Sequence, residues 1–525
     1  MAEYLSRFHE SLVRKDVFSV TWELVPGRGA YEKDQEEVLR GAEKAAKGGK
    51  VHALTLTDNP GGNPAISAEF LGAEVNRLGI EPLVHFTCKD KNRNELEALL
   101  HGLERAGVRN LLVMTGDYTY SGYRGRAKPV FDLDPVQLLE LIGEMNKGLE
   151  VQGPRGVTTL APSHFFAGAV VSPFKALESE QMGQYYKLKK KLQAGAQFIV
   201  TQLGYDARKF HEALLMVKHL GFEHIPVIGN VYVLPRPVGR LMNQNGVPGC
   251  VVTDRLLAIL DEEAADKTKA KERRLERAAK MYAFMKGMGF AGVHIGGHGL
   301  SYEDVEFIIA RGEELAPNWL DYIHEFDFPQ PNGWYYFEKD EKTGLNTETP
   351  VNRSLHRPGT PLSYRGFRLL HKTMFEPHGV LFKPMQGLAK ALDGSRLEPA
   401  FTSLEHFAKS ITNDCLHCGD CGLPDVAYLC PTSQCPKGQR NGPCGGSFEG
   451  WCEVYPGKKQ CIFVRAYGRL KHYGEEDKLG AYHVPPVNYD LLWTASWLNF
   501  YMGRDHTAKR LGIVPPAGKT QKEQK

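Results

Sequence analysis

Short apolar runs recur along the first three hundred residues, separated by amphipathic stretches of helical period. The runs are Val17–Leu24, Val51–Thr57, Pro82–Thr87, Asn110–Thr115, Ser163–Val170, Gln197–Gln202, Ile225–Asn230 and Ala291–Ile295. Each is short and rich in Val, Ile, Leu or Phe, the pattern of a strand buried on both faces. Between them Asp34–Lys47, Glu95–Ala106 and Pro135–Lys147 carry apolar residues at helical spacing, and Gly48-Gly49 and Gly107 stand where helices stop. Eight such β and α alternations predict an α/β fold, a (β/α)8 TIM barrel over residues 1–312. An open doubly wound sheet is the rival, and it is weakened because no G-x-G-x-x-G follows a strand.

Beyond the barrel the pattern changes. Residues 313–400 read as an irregular and helical connecting region, packed rather than free, because the aromatic residues from Trp319 to Phe337 are poor choices for a disordered spacer. Residues 401–475 form a cysteine-rich domain. Residues 476–525 hold an aromatic segment, YDLLWTASWLNFYMG at 489–503, that reads as a docking helix, and a last dozen residues expected to be disordered.

All but two of the ten cysteines fall in that third region: Cys415, Cys418, Cys421, Cys430, Cys435, Cys444, Cys452 and Cys461. Cysteines two residues apart on a tight turn converge on one soft metal centre far more readily than they form a disulfide. The eight thiolates suffice for two four-cysteine sites, holding 4Fe-4S clusters or, as the alternative, zinc. A disulfide-stapled module would need an exported protein. The N-terminus has no apolar h-region and no stretch approaches a membrane span, so a cytoplasmic location is expected. With 65 basic against 62 acidic residues, net charge +3, nucleic acid is not the expected partner.

In a TIM barrel, chemistry sits at the carboxyl ends of the strands. There the sequence places Glu23, Thr57-Asp58-Asn59, His85, Thr87, Gly116-Asp117, Thr201-Gln202 and Asn230. A carboxylate in an otherwise apolar strand is costly unless paired or used, so Glu23 draws notice first. His294 and His298, in GVHIGGHGLS, are candidates for substrate contact, or else a packed and a loop histidine.

The segments VTWELVPG (20–27), LLVMTGD (111–117) and LKKKLQAGAQFIVTQLGYD (188–206) resemble the flavin-dependent methylenetetrahydrofolate reductases over residues 15–310. The cysteine segment resembles the C-terminal domain of the acetogen-type reductases. The resemblance implies hydride transfer from reduced flavin to a tetrahydrofolate-borne one-carbon unit. It implies Glu23 as the general acid toward N10, through a raised pKa, with Asp117 beside the pterin and flavin and Gln202 on the pterin edge. It implies flavin contacts from Thr57, His85, Thr115, Gly116 and Asp117, with Lys187, Lys190 and Lys191 near the phosphate end. The family commonly has arginine where this chain has Thr115, and GAVVSPFK lacks the tyrosine and histidine of the well-known bacterial enzymes, so FAD and FMN both stay open. Electrons are expected through the cysteine-rich domain from ferredoxin or another electron-transfer protein. Self-association is left open. The competing reading is a non-redox methyl-transfer or corrinoid-partner module with a structural zinc domain.

Overall fold

The computed structural model describes residues 6–515, so the last-dozen expectation falls almost wholly outside that range. The chain divides into two compact units: Met1–Arg353 with Gly442–Gln460, and Ser354–Asn441 with Cys461–Lys525.

The first unit is built on eight parallel strands: β1 (Ser19–Leu24), β2 (Ala53–Leu56), β3 (Pro82–Thr87), β4 (Asn110–Met114), β5 (Phe166–Val171), β6 (Ile199–Thr201), β7 (Val227–Tyr232) and β8 (Gly292–Gly296). Each pairs with its sequence neighbours, and β1 closes the ring by pairing with β8, Thr21 opposite His294. The apolar runs of the sequence land on these strands because a closed parallel barrel leaves neither face wet. The intervening helices begin and end where local chemistry dictates. Asp134 and Gln137 form a capping box before Pro135–Met145, and Gly49 takes a left-handed φ of 68° after Lys33–Gly48.

Two elements have no counterpart in the apolar pattern. A short helix, Arg7–Val13, sends Phe8 and Leu12 into the barrel's lower layer beside Leu83, Leu112, Phe166, Phe198 and Ile228. The Phe8 ring meets Phe198 edge-on at 5.4 Å, closing the end of the barrel opposite the strands' carboxyl termini. A hairpin, Glu150–Gly153 against Gly156–Thr159, follows the helix Pro135–Met145.

The segment Gly442–Gln460 packs within the barrel unit as a largely irregular strap. Lys175, in the loop after β5, donates to the Gly445 and Ser447 carbonyls at 2.5 and 2.6 Å. Lys187 donates to Gly442 O at 3.2 Å, and Glu180 accepts from the Gly450 N–H at 3.0 Å. The strap carries Cys444 and Cys452.

The second unit is helical, with Leu362–Leu370, Phe382–Leu392, Glu398–Asn413, Ile462–Lys471, Ser496–Tyr501 and His506–Leu511. The aromatic segment contributes its core: Leu498, Phe500 and Tyr501 pack with Phe382 and Ala389. No helix among the described residues is long and apolar enough to cross a membrane.

Candidate active site and cysteine centre

Side chains on a strand alternate faces, so Thr21 and Glu23, two apart on β1, share one face. Thr21 Oγ1 lies 3.0 Å from His294 Nδ1, and His294 Nε2 lies 3.6 Å from Glu23 Oε2. His85 of β3 completes the group: one ligand atom from each of Glu23, His85 and His294 lies within 4.8 Å of the others. This spacing could bracket one divalent cation or one shared proton. Burial alone pushes the Glu23 carboxyl up, but the hydrogen bond and charge of His294, with the charge of His85, hold it below the usual carboxylate range. That is the reverse of the elevation expected of an acid at this position. Burial pushes His85 down to about 4, so its imidazole is neutral near pH 7.

Around this group the barrel mouth holds buried polar atoms with no protein partner: Thr57 Oγ1 after β2, His85 Nε2 on β3, Ser172 Oγ after β5 and Asn230 Oδ1 on β7. Buried polar atoms are normally paired, so a ring of orphans at strand ends fits a polar planar ligand such as a flavin or pterin. Asp117 is exposed and its Oδ2 accepts from the Gly61 N–H at 2.8 Å, tying the loops after β4 and β2. Gly116 before it has φ +83°, and a Cβ there would lie 2.7 Å from Lys89 Cγ. Thr115 is buried. Gln202 Oε1 accepts from the Leu203 N–H at 2.8 Å. Cys250 joins the two acids electrostatically: burial, then the charges of Asp117 and Glu23, push its thiol up to about 12 against the pull of Lys175. His298 is exposed beyond the end of β8.

Lys187, Lys190 and Lys191 are all buried. Lys191 Nζ donates to Val170 O at 2.6 Å. Burial and the neighbouring charge of Lys187 push Lys191 down to about 7, in opposition to Asp134 and Cys88.

In the second unit, Cys415, Cys418, Cys421 and Cys430 line one small cavity together with Lys409, His406 and His417. None of the ten cysteines is bridged. No three of these four thiols lie within 4.8 Å of one another. Four sulfurs lining one cavity suit a thiolate-ligated metal centre, iron–sulfur or zinc. The loop is held from behind by Asp420, which meets His506 Nδ1 at 2.5 Å and Arg440 Nη1 at 3.5 Å, while Asp425 takes His506 Nε2 at 2.8 Å. Burial opposes a charged His506, yet the two carboxylates raise it to about 9. Gly419, between two of the cysteines, has φ +72°, and any Cβ there would strike the Leu491 carbonyl. Of the other four cysteines, Cys435 and Cys461 belong to this unit and Cys444 and Cys452 to the barrel unit.

The closed parallel barrel, with an acid, two histidines and orphaned polar atoms gathered at its carboxyl-terminal mouth, defines a TIM-barrel protein with an enzyme-like site. Residues 7–297 match the family described as Methylenetetrahydrofolate reductase, and residues 395–490 match Methylene-tetrahydrofolate reductase C terminal. The chain belongs to the methylenetetrahydrofolate reductase family. Among solved structures it is similar to an uncharacterized protein from Clostridium thermocellum that binds two copies of 5-methyl-5,6,7,8-tetrahydrofolic acid. That match has 12% identity and a TM-score of 0.41, covering 59% of this chain and 98% of that one. It is also similar to tryptophan synthase from M. tuberculosis, at 13% identity and a TM-score of 0.31, covering 57% and 92%.

Proposed function

We propose that the protein interconverts 5,10-methylene- and 5-methyltetrahydrofolate, using a flavin at the barrel mouth. The carrying observation is the Glu23–His294 contact set among orphaned polar atoms, in a chain of this family. Thr57 and His85 supply unsatisfied groups for the flavin, with Thr115, Gly116 and Asp117 along the end of β4. Lys187, Lys190 and Lys191 supply buried positive charge toward a flavin phosphate, although Lys187 and Lys191 donate to the Gly442 and Val170 carbonyls. Bound flavin supplies the hydride chemistry; the chain's own groups bind, orient and move the proton.

Opening the imidazolidine ring of the substrate requires a proton at N10. Glu23 Oε2 is the donor atom, and His294 Nε2, 3.6 Å away, orients it from behind. Thr21 Oγ1 fixes the imidazole from its other nitrogen. The uncovered carboxyl sits below the usual range, so the acid role requires the bound rings to raise its proton affinity by excluding water. Asp117 lies beside the developing iminium cation, which an anion stabilises. Gln202 offers a donor and an acceptor side by side to a pterin edge.

Cys415, Cys418, Cys421 and Cys430 would hold a metal centre, and an iron–sulfur cluster there would supply the one-electron chemistry for reducing a flavin, with a ferredoxin-like protein as donor. The gathering of Cys415, Cys418, Cys421 and Cys430 around one cavity supports this reading. Glu23→Gln tests the acid assignment. It should keep the flavin spectrum and flavin reduction by dithionite, and lose at least a hundredfold in folate turnover. Turnover near wild type would remove Glu23 from the role.

A further inference from the structure

Lys409 is an ammonium built into the wall of the four-cysteine cavity. It sits on the helix Glu398–Asn413, with Nζ 3.4 Å from Cys421 Sγ, 2.6 Å from Ser496 Oγ and 3.3 Å from Glu405 Oε1. Glu405 is itself buried and held without Lys409. Its Oε1 accepts from the Ser496 N–H at 3.1 Å and Oγ at 2.7 Å, and its Oε2 from the Trp497 N–H at 3.2 Å. The cation is therefore pinned against the Cys421 sulfur rather than swinging in solvent. The coordination of iron or zinc does not require it, because cysteines 415, 418, 421 and 430 already supply four sulfurs.

We propose that Lys409 tunes the redox centre: its N–H bond to Cys421 Sγ stabilises the reduced, more negative state and raises the reduction potential, with Glu405 opposing it. Hydrogen bonds to cluster sulfurs and nearby charge are the levers that set such potentials. In a poorly solvated wall, a charge at hydrogen-bond distance acts far more strongly than it would in water. Lys409 is thus a positioning and tuning residue, not a ligand. The proposal rests on the reading of these four cysteines as an iron–sulfur site.

The experiment uses the full chain, purified anaerobically, with iron and zinc measured first and the potential then followed by an EPR-monitored redox titration. Lys409→Met should keep the iron content and shift the oxidised-to-reduced ratio at a fixed poise at least tenfold toward oxidised, a midpoint lower by about 59 mV for one electron. Glu405→Gln should move the midpoint upward. A residue with only a packing role would not give opposite signs from two contacting positions. Should Lys409→Met fail to fold, the upward shift in Glu405→Gln carries the test. Iron at wild-type level with unmoved midpoints, or with both moved the same way, overturns the tuning role while sparing the cluster. Wild-type protein holding zinc or no metal overturns the cluster reading and the tuning with it.

Discussion

Lys175→Met should detach the strap Gly442–Gln460 while leaving the barrel folded. The ammonium is buried, 3% exposed, and donates to two backbone carbonyls, Gly445 O and Ser447 O. Methionine keeps the apolar stem and removes both donors. A hydrogen bond from a charged group contributes ~1.5–3 kcal/mol, and water can reach a carbonyl once the strap lifts, so the loss is about 3 kcal/mol for the two together. Local opening of the strap should then become roughly a hundredfold more frequent. Native-state hydrogen exchange reads this directly: amides of 442–460 should lose about that much protection, while strands β1–β8 keep theirs. Lys218→Met, which breaks only the exposed Lys218–Glu348 pair at 2.6 Å, serves as the control and should change almost nothing. Strap protection within threefold of wild type would refute the anchoring role. A uniform loss across the barrel would refute the strap as a separately opening piece.

Gly116→Ala should cost about 2–4 kcal/mol, since a Cβ must share space with the buried Lys89 stem at a positive φ; urea unfolding checks it, and a cost below ~0.5 kcal/mol would contradict the crowding. His294→Gln removes the charge that depresses Glu23, so the carboxyl's apparent pKa should rise, moving the corresponding limb of the kcat/KM pH profile upward. An unmoved limb would separate the two residues. Stability should fall with acidification. His85 is lowered to about 4 in the fold against ~6.5 unfolded, so its contribution is whole above pH 6.5 and is lost as pH drops to 4, about 3 kcal/mol in all. His85→Asn should flatten that part of the profile measured by thermal unfolding.

The barrel was legible because every strand is buried on both faces, which leaves an apolar run with no second interpretation at this spacing. All eight runs fall on barrel strands, with ends shifted by a few residues. The helix Arg7–Val13 was not legible. Only Phe8 and Leu12 of its seven residues are apolar core, too short a stretch to show a period, and its reason for existing is the hole it fills. The same limit applies to the site. Glu23 stands out as a carboxylate in an apolar strand, and Thr21 shares its face by simple alternation, but the sign of its pKa depends on His294, 271 positions away. Lys187, Lys190 and Lys191 look solvated in one dimension and are buried in three, and the strap that receives Lys187 lies beyond position 440. Lys409 near Cys421 left no signal at all: a lysine twelve residues before a cysteine has no period to betray it.

The strap has a consequence for the order in which the molecule is made. All eight strands lie before residue 297, and the barrel unit's first stretch ends at Arg353, so a nascent chain can close its ring early. Eighty-eight further residues, Ser354–Asn441, must be synthesised before the piece that Lys175, Glu180 and Lys187 await comes off the ribosome. At ~5–20 residues per second that interval lasts several seconds, far longer than loop closure or helix formation. Throughout it, the hydrogen bonds that these three side chains make to the strap are not yet formed. The young barrel is thus a different electrostatic object from the mature one.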